Sequence, residues 1–195
     1  MSDILANLAP DEPLPLGRYG TADGVEVTLK TVYPALATLI AGRNAASLAA
    51  AFETGLGAPL PQGPQAVSVS GLTLVGTGPG RWIVAADDTT GDALLERLHA
   101  LAGSFGSVTD QTDASVVYDV SGPKAHEMLM KMLLIDIDPA VFRPGTAATT
   151  QAALIGTTLW QTEAGTYRFL IARSYALAFV RAVAASATEF GFEFG

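Results

Sequence analysis

The short glycine- and proline-rich segment Gly76–Gly80 constrains the fold of this chain more than any other feature of its sequence. It separates two runs of apolar and β-branched residues, Leu72–Val75 and Arg81–Ala86. Because glycine adopts positive φ values at little cost and proline fixes φ, the segment predicts a tight turn between two strands of a β-hairpin. The alternative is a phosphate-binding loop. Such a loop requires a following helix or a Gly-Lys-Ser/Thr ending, whereas a strand-like run follows here.

Two large side chains, Arg81 and Trp82, directly follow this turn. Arginine and tryptophan are favoured anchors of buried protein–protein interfaces, which makes both residues candidates for a subunit contact. The alternative is a tryptophan packed in the core beside an arginine that stacks or pairs locally. The sequence leaves both interpretations open.

Capping residues and apolar spacing divide the rest of the chain into short helices and strands. Four helices are predicted, and they begin after Asn44, Thr89 or Thr90, Pro123 and Ser174. The run Leu36–Ala41 fits either a buried strand or the start of a helix, because periodicity does not separate the two. Strands are predicted at 25–29, 66–69, 72–75, 81–86, 108–112, 115–120, 147–154, 156–162 and 166–172, with turns at Gly156 and at Ala164-Gly165.

This order predicts an α+β fold with two small lobes of mainly antiparallel sheet and helices on one face. Residues 1–17 are assigned to an extended N-terminal arm, because Pro10, Pro13 and Pro15 resist helix formation. Residues 18–113 are assigned to the first lobe and residues 114–195 to the second. A single compact domain is the alternative.

Charge and composition exclude several classes of function. The formal net charge is −8, and seven of the 19 acidic residues lie between Asp87 and Asp119 with only Arg97 to balance them. No basic cluster is present to neutralise phosphates or anionic lipids, so we expect no nucleic-acid or membrane partner. The chain has no cysteine and no targeting segment, which predicts a soluble, cytoplasmic protein. Only 15% of residues are charged, which favours uncovered apolar surface of the kind that partners bind.

No motif predicts a catalytic, cofactor-binding or metal-binding residue. Asp110 and Asp113 resemble a carboxylate pair, but residues three apart on a strand face opposite sides, so a turn is the preferred interpretation. His99 and His126 lack the spacing of metal ligands, and no Gly-x-Ser-x-Gly nucleophile motif is present. The methionines at 128, 130 and 132 are interpreted as core residues, with an adaptable interface as the alternative.

A series of short motifs, in a fixed order between Leu36 and Phe190, resembles the gamma subunit family of heterotetrameric sarcosine oxidase. The motifs are 37–41, the prolines of 59–64, 72–74, 78–82 with Arg81 and Trp82, Asp110-Gln111-Thr112-Asp113, 120–123, Lys131, 136–139, Phe142, Pro144-Gly145, Leu159-Trp160-Gln161 and Arg173-Ser174. Arg81, Trp82, Asp110, Gln111, Trp160 and Arg173 are therefore candidates for a subunit interface or a structural motif.

The resemblance implies a fold similar to the folate-binding region of the glycine-cleavage T protein. It also implies alpha, beta and delta subunits as partners, which carry FAD, FMN, NAD, tetrahydrofolate and zinc, and it implies no cofactor on this chain. The complex of that family demethylates sarcosine to glycine and passes a one-carbon unit to tetrahydrofolate, and its gamma subunit is chiefly structural. The alternative is a stand-alone folate or one-carbon binding module with the same fold, although fold analogy is weak evidence for function.

Overall fold

A computed structural model describes residue 9, residues 11–20 and residues 24–195 of the chain. These residues form two mainly antiparallel sheets with few helices, and the predicted α+β class is confirmed. The helices are α1 (Ala45–Leu56), α2 (Gly91–Ala102), α3 (Ala125–Leu129) and α4 (Ala176–Ala187), with 3-10 turns at Arg173–Tyr175 and Thr188–Phe190. The strands are β1 (Gly17–Tyr19), β2 (Val27–Val32), β3 (Ala35–Ala41), β4 (Ala66–Val69), β5 (Leu72–Gly78), β6 (Arg81–Ala86), β7 (Gly106–Asp110), β8 (Ser115–Ser121), β9 (Ala147–Ala152), β10 (Ile155–Glu163), β11 (Thr166–Ala172) and β12 (Phe192–Phe194).

The first sheet has five strands in the order β4-β5-β6-β3-β7, and every neighbouring pair is antiparallel. Helices α1 and α2 supply the apolar residues that pack against it, because their buried positions recur at helical spacing. The resulting core joins Leu39, Leu74 and Val84 of the sheet to Leu48, Phe52, Leu94 and Leu98 of the helices.

The second sheet has seven strands in the order β1-β12-β2-β8-β11-β10-β9. Its pairs include one parallel pair, formed by β12 and β2. Aromatic side chains fill the core under this sheet. Phe179 of α4 lies 5.3 Å from Phe169 and 5.5 Å from Tyr118, measured between ring centroids.

The chain divides into two compact units whose bounds differ from the predicted lobes 18–113 and 114–195. Strand β2 lies in the predicted first lobe, but it pairs with β8 and belongs to the unit of the seven-stranded sheet. Residues 145–149 lie in the predicted second lobe, but they belong to the unit of the five-stranded sheet. Strand pairing joins segments far apart in sequence, so local patterns did not reveal the unit to which β2 and residues 145–149 belong. Residues 1–8 and 10 of the predicted N-terminal arm lie outside the described residues.

Two predicted helix starts are confirmed by their caps. The Asn44 side chain accepts a hydrogen bond from the N–H of Ser47 at 3.2 Å, and the Thr90 hydroxyl accepts one from the N–H of Ala93 at 3.3 Å. The predicted cap at Ser174 is wrong, because a 3-10 turn precedes α4 and no side chain caps it. The ambiguous run Leu36–Ala41 is a strand, β3.

The predicted turn at Gly156 is also wrong. Gly156 lies within β10, and the chain turns instead at Ala153 and Leu154, which have positive φ values of 49° and 67°. The prediction placed the turn on the residue that adopts such angles at least cost. The chain uses two residues with side chains there.

Candidate functional site

The predicted hairpin at Gly76–Gly80 is confirmed, and it forms one side of a cleft. Strands β5 and β6 pair antiparallel with a bulge between Gly76 and Gly78, and Gly80 has a φ of 65°. The cleft has a volume of about 520 Å³. It is lined by residues of the hairpin, of the preceding proline-rich loop and of β9, namely Pro61, Gln62, Gly63, Pro64, Gly76, Thr77, Gly78, Pro79, Gly80, Trp82 and Thr149.

Two backbone segments that line the cleft approach each other closely. A Cβ atom on Gly76 would lie 2.0 Å from the carbonyl oxygen of Gly63, so only glycine fits there. The N–H of Gly76 donates to the carbonyl oxygen of Gln65 at 2.9 Å, and Gln65 in turn pairs with Thr146. This close backbone approach accounts for the glycine at position 76.

Trp82 is the main aromatic residue of this cleft, and it is also a core residue. Only 6% of it is exposed, and its indole N–H donates to the carbonyl oxygen of Pro61 at 2.9 Å. The core interpretation of Trp82 is thus the one that its burial supports. Arg81 is exposed beside it, and among the described residues its guanidinium has no hydrogen-bonding or ion-pairing partner. The role of Arg81 in a subunit contact stays a prediction.

The lining of the cleft limits its chemistry. None of the lining residues has an ionisable side chain. Gln62, Thr77 and Thr149 offer neutral polar groups, and the rest is backbone and apolar surface. These groups can bind a ligand by hydrogen bonds and apolar contact. They do not include a group suited to general acid–base catalysis.

Asp110 and Gln111 lie at the end of β7, in the turn that the sequence predicted. The Oδ1 atom of Asp110 accepts a hydrogen bond from the N–H of Thr112 at 2.9 Å. This N–H, with the Thr112 hydroxyl beside it, holds the pKa of the Asp110 carboxyl below its ordinary value. The N–H of Gln111 donates to the carbonyl oxygen of Leu36 at 2.9 Å. The turn therefore fastens β7 to the start of β3.

The Thr112 hydroxyl strengthens the same connection, and the sequence analysis gave it no role. Its oxygen accepts from the N–H of Leu36 at 3.1 Å and donates to the carbonyl oxygen of Leu36 at 3.3 Å. The candidate residues Trp82 and Asp110 pair with different residues of β3. Trp82 lies opposite Leu39 of β3, whereas Asp110 lies opposite Ala37.

Trp160 and Arg173 belong to the unit of the seven-stranded sheet. Trp160 lies on β10 and is 1% exposed, and its indole N–H has no partner within the described part of the chain. Arg173 is exposed at the start of the 3-10 turn before α4. The part that either residue plays in a subunit interface stays a prediction.

Sequence reasoning missed the role of Gln161, the buried neighbour of Trp160. With its amide oriented to suit its surroundings, it donates to the carbonyl oxygens of Phe142 and Arg143 at 2.9 and 3.3 Å. It also accepts from the N–H of Gly165 at 3.1 Å. Gln161 thus connects the β10–β11 turn to the segment before Pro144.

An ion pair between β8 and β11 was missed as well. Arg168 donates to both carboxylate oxygens of Asp119, at 2.7 and 2.9 Å, and both side chains are largely buried. Two residues 49 positions apart give no local signal of such a pair. This bidentate geometry is among the stronger charge-assisted contacts in proteins.

No metal centre is found among the described residues. No group of three or more His, Cys, Asp or Glu side chains in residues 9, 11–20 and 24–195 could hold a metal ion. His99 is exposed on α2, and the buried Nδ1 atom of His126 on α3 has no partner in the same ranges. Within these ranges, too, each helix is shorter or more polar than a membrane-spanning helix requires.

Comparison with known proteins identifies a family and a fold. A model of the "Sarcosine oxidase, gamma subunit family" matches residues 41–189. The sarcosine oxidase subunit gamma of Corynebacterium sp. (strain U-96) is 36% identical over 131 residues, which are 67% of this chain and 62% of that protein. The subunit gamma of Arthrobacter sp. is 35% identical over 60% of this chain and 56% of its own length. The match thus spans less than two thirds of the length of these relatives.

Two solved structures share the fold. A chain of the heterotetrameric sarcosine oxidase from Corynebacterium sp. U-96, in complex with pyrrole 2-carboxylate, matches with a TM-score of 0.74 at 31% identity and 88% coverage of both chains. The glycine cleavage system aminomethyltransferase T from Bartonella henselae matches with a TM-score of 0.68 over 87% of this chain and 48% of that chain. The identity with the latter is 14%, so it supports the predicted fold alone.

Proposed function

The chain belongs to the sarcosine oxidase gamma subunit family, and on that basis we propose that it is the gamma subunit of a heterotetrameric oxidase that demethylates sarcosine or a related N-methyl amine. The observation that carries the proposal is the shared fold with a chain of such an oxidase over 88% of both chains. Alpha, beta and delta subunits would be its partners. They would hold FAD, FMN, NAD, tetrahydrofolate and zinc.

We propose further that this subunit has a structural role in assembly and no active site of its own. The roles of its polar residues support this proposal. Asp110 accepts a bond from its own turn, the Trp82 N–H donates to a loop carbonyl, and Arg168 holds Asp119 across two strands. Each of these groups stabilises local structure, and none faces the neutral cleft as an acid or base.

Co-expression with the large subunits from the same organism tests the assembly role. We expect the chain to co-elute with its partners on size exclusion, and we expect oxidase activity to need the assembled complex. A chain that never co-elutes would overturn the proposal. The non-catalytic part fails separately, if the purified chain alone turns over substrate and one point substitution abolishes that turnover.

A second candidate function is the binding of a folate or another one-carbon carrier in the cleft of the Gly76–Gly80 hairpin. The observation that favours it is the volume of about 520 Å³, which lies within the roughly 300–1,000 Å³ of small-molecule sites. Because no ionisable side chain lines this cleft, it could bind such a ligand without catalysing transfer.

Thermal denaturation with tetrahydrofolate tests this second function. A ligand at 100 times its Kd adds about 2.7 kcal/mol of stability, which for a chain of this length raises Tm by roughly 5–10 °C. Gly78→Leu should abolish the shift, because Gly78 lines the cleft and open space surrounds its Cβ position. Gly156→Leu is the matched control, since its Cβ position is equally open and lies in the other unit. An unmoved Tm for the unmodified chain would rule the second function out.

A further inference from the structure

Three apolar side chains lie uncovered where the β9–β10 turn meets the segment after α3. Met130 is 63% exposed, Leu134 is 69% exposed and Leu154 is 80% exposed. The backbone brings the two segments together. The N–H of Ala153 donates to the carbonyl oxygen of Met132 at 2.8 Å, and Leu133 pairs with Ala152. We call Met130, Leu134 and Leu154 the Leu154 patch.

The turn that carries Leu154 lowers the stability of the isolated folded chain. Ala153 and Leu154 both have positive φ, which is the pattern of a type I′ hairpin turn, and such turns favour Asn-Gly. Leucine is disfavoured in this backbone region, and its side chain here gains little from burial. Residues in such conformations are concentrated at functional sites. A leucine that is both strained and exposed is explained if another surface covers it.

Acidic groups lie beside this patch. A cavity of about 210 Å³ is lined by His126, Met130, Ile135, Asp136, Ile137 and Asp138. Asp136 accepts a hydrogen bond from the N–H of Asp138 at 2.9 Å, and Asp138 accepts one from the N–H of Ala140 at 2.7 Å. Each carboxylate can accept further bonds, because an ionised carboxylate has about four acceptor positions.

The lysine next to Met130 in the sequence does not neutralise this cavity. Lys131 forms an ion pair with Glu189, donates to the carbonyl oxygen of Ser186 at 3.1 Å and lies 4.3 Å from the centre of the Phe190 ring. Its ammonium group is therefore committed to the C-terminal segment. Asp136 and Asp138 give the rim of the cavity a negative charge, and Met130 joins that rim to the Leu154 patch.

We propose that the Leu154 patch and this acidic cavity together form a docking surface for a partner subunit. The partner presents an apolar segment with an adjacent lysine or arginine, and that cation enters the cavity between Asp136 and Asp138. The inference rests on the proposed function, since it assumes an assembly. A cavity of about 210 Å³ is smaller than the roughly 300–1,000 Å³ of small-molecule sites, so it suits one long side chain better than a free ligand.

Charge argues against a second copy of this chain as the occupant. In a symmetric dimer the same surface meets itself, which would bring acidic rims together. The chain carries a net charge of −8, so a basic surface is easier to find on another subunit. A standard interface buries about 800 Å² per partner, so the patch forms the centre of a larger contact.

Two double variants test the docking surface in the co-expressed complex. Ala153→Asn with Leu154→Gly supplies the favoured turn sequence and removes the exposed leucine. The isolated variant should melt a few degrees higher, while its affinity for the large subunits should fall about tenfold or more. Asp136→Asn with Asp138→Asn keeps oxygen acceptors for both turn bonds and removes both charges. It should weaken docking and reduce the salt dependence of docking.

Matched controls separate this proposal from a general effect of the substitutions. Glu53→Gln with Glu96→Gln removes the same number of charges from exposed positions on α1 and α2. Leu16→Asn removes another leucine, which is 70% exposed. Both controls should bind like the unmodified chain. The docking surface is refuted if the two test variants also bind like the unmodified chain, or if the isolated chain dimerises and the patch variants make it monomeric. Failure of the unmodified chain to co-elute refutes the proposed function instead.

Discussion

Replacing Gly76 with alanine should weaken the fold strongly, whereas the same change at Gly78 should not. A Cβ atom at Gly76 would lie 2.0 Å from the carbonyl oxygen of Gly63 and 3.1 Å from its carbonyl carbon. Even a tight contact of 3.0 Å would require β5 and the proline-rich loop to separate by about 1 Å. The obstructing atom belongs to the backbone, so no change of side-chain rotamer relieves the clash.

The expected loss can be assembled from two contributions. Inserting a methyl group into a closely packed site costs about 1–3 kcal/mol. The separation would also break the hydrogen bond from the N–H of Gly76 to the carbonyl oxygen of Gln65, now 2.9 Å long, which contributes about 1 kcal/mol. The free energy of unfolding should therefore fall by about 2–4 kcal/mol. For a chain of this length, Tm should drop by roughly 5–15 °C.

Gly78→Ala is the internal control for this prediction. Nothing lies within 4 Å of its Cβ position, and its φ is outside the positive range, so the change should stay within about 0.5 kcal/mol. Urea and thermal unfolding measured by circular dichroism give the free energies. The fluorescence of Trp82, whose indole N–H donates to Pro61, reports on the loop. If Gly76→Ala and Gly78→Ala unfold alike, the close backbone approach is not a fixed part of the fold and the reasoning is wrong.

Three further predictions follow from the polar contacts. The pKa of Asp110 is lowered in the folded chain, so its contribution to stability is present above the unfolded pKa and is lost as pH falls through the folded pKa; Asp110→Asn should reduce the loss of stability in acid, and Thr112→Val should move the carboxyl pKa upward in an NMR titration. Asp119→Ala should cost about 3 kcal/mol in urea unfolding, because it leaves the Arg168 guanidinium largely buried without its carboxylate; a cost below 1 kcal/mol would contradict this. Gln161→Leu should cost about 1–3 kcal/mol and speed amide exchange at Gly165, because the N–H of Gly165 and the carbonyl oxygens of Phe142 and Arg143 lose their partner.

Local chemistry in the sequence was enough to predict the elements that depend on near neighbours. Asn44 and Thr90 cap their helices through residues three positions on, and the glycines of the β5–β6 hairpin act within the turn itself. The fold class follows from the order of such elements. The choice between strand and helix for Leu36–Ala41 did not follow from local patterns, because a fully buried segment has the same apolar pattern in a strand as in a helix.

Contacts between distant segments could not be predicted from one sequence. Strand β2 pairs with β8, about 90 residues later, and local sequence patterns gave no signal of that pairing. The Asp119–Arg168 pair was missed for the same reason. For the candidate site, the sequence motifs pointed to Trp82 and Trp160 but did not indicate whether their side chains are buried or exposed. Arg81 and Arg173 proved exposed, while both tryptophans are buried.

The wrong prediction of a turn at Gly156 is the most informative one. The rule behind it, that positive φ values favour glycine or asparagine, failed at Ala153 and Leu154 but still describes the stability of the isolated chain. Asn-Gly would serve this turn better, and the fold gains little by keeping a leucine that is 80% exposed. Stability of the isolated chain and affinity for a partner concern different states, so one substitution can move them in opposite directions. If Leu154 were merely tolerated, a better turn would raise stability and leave docking unchanged. If Leu154 anchors a contact, the same change must raise stability and weaken docking together, and a structural role alone produces no such pair of results.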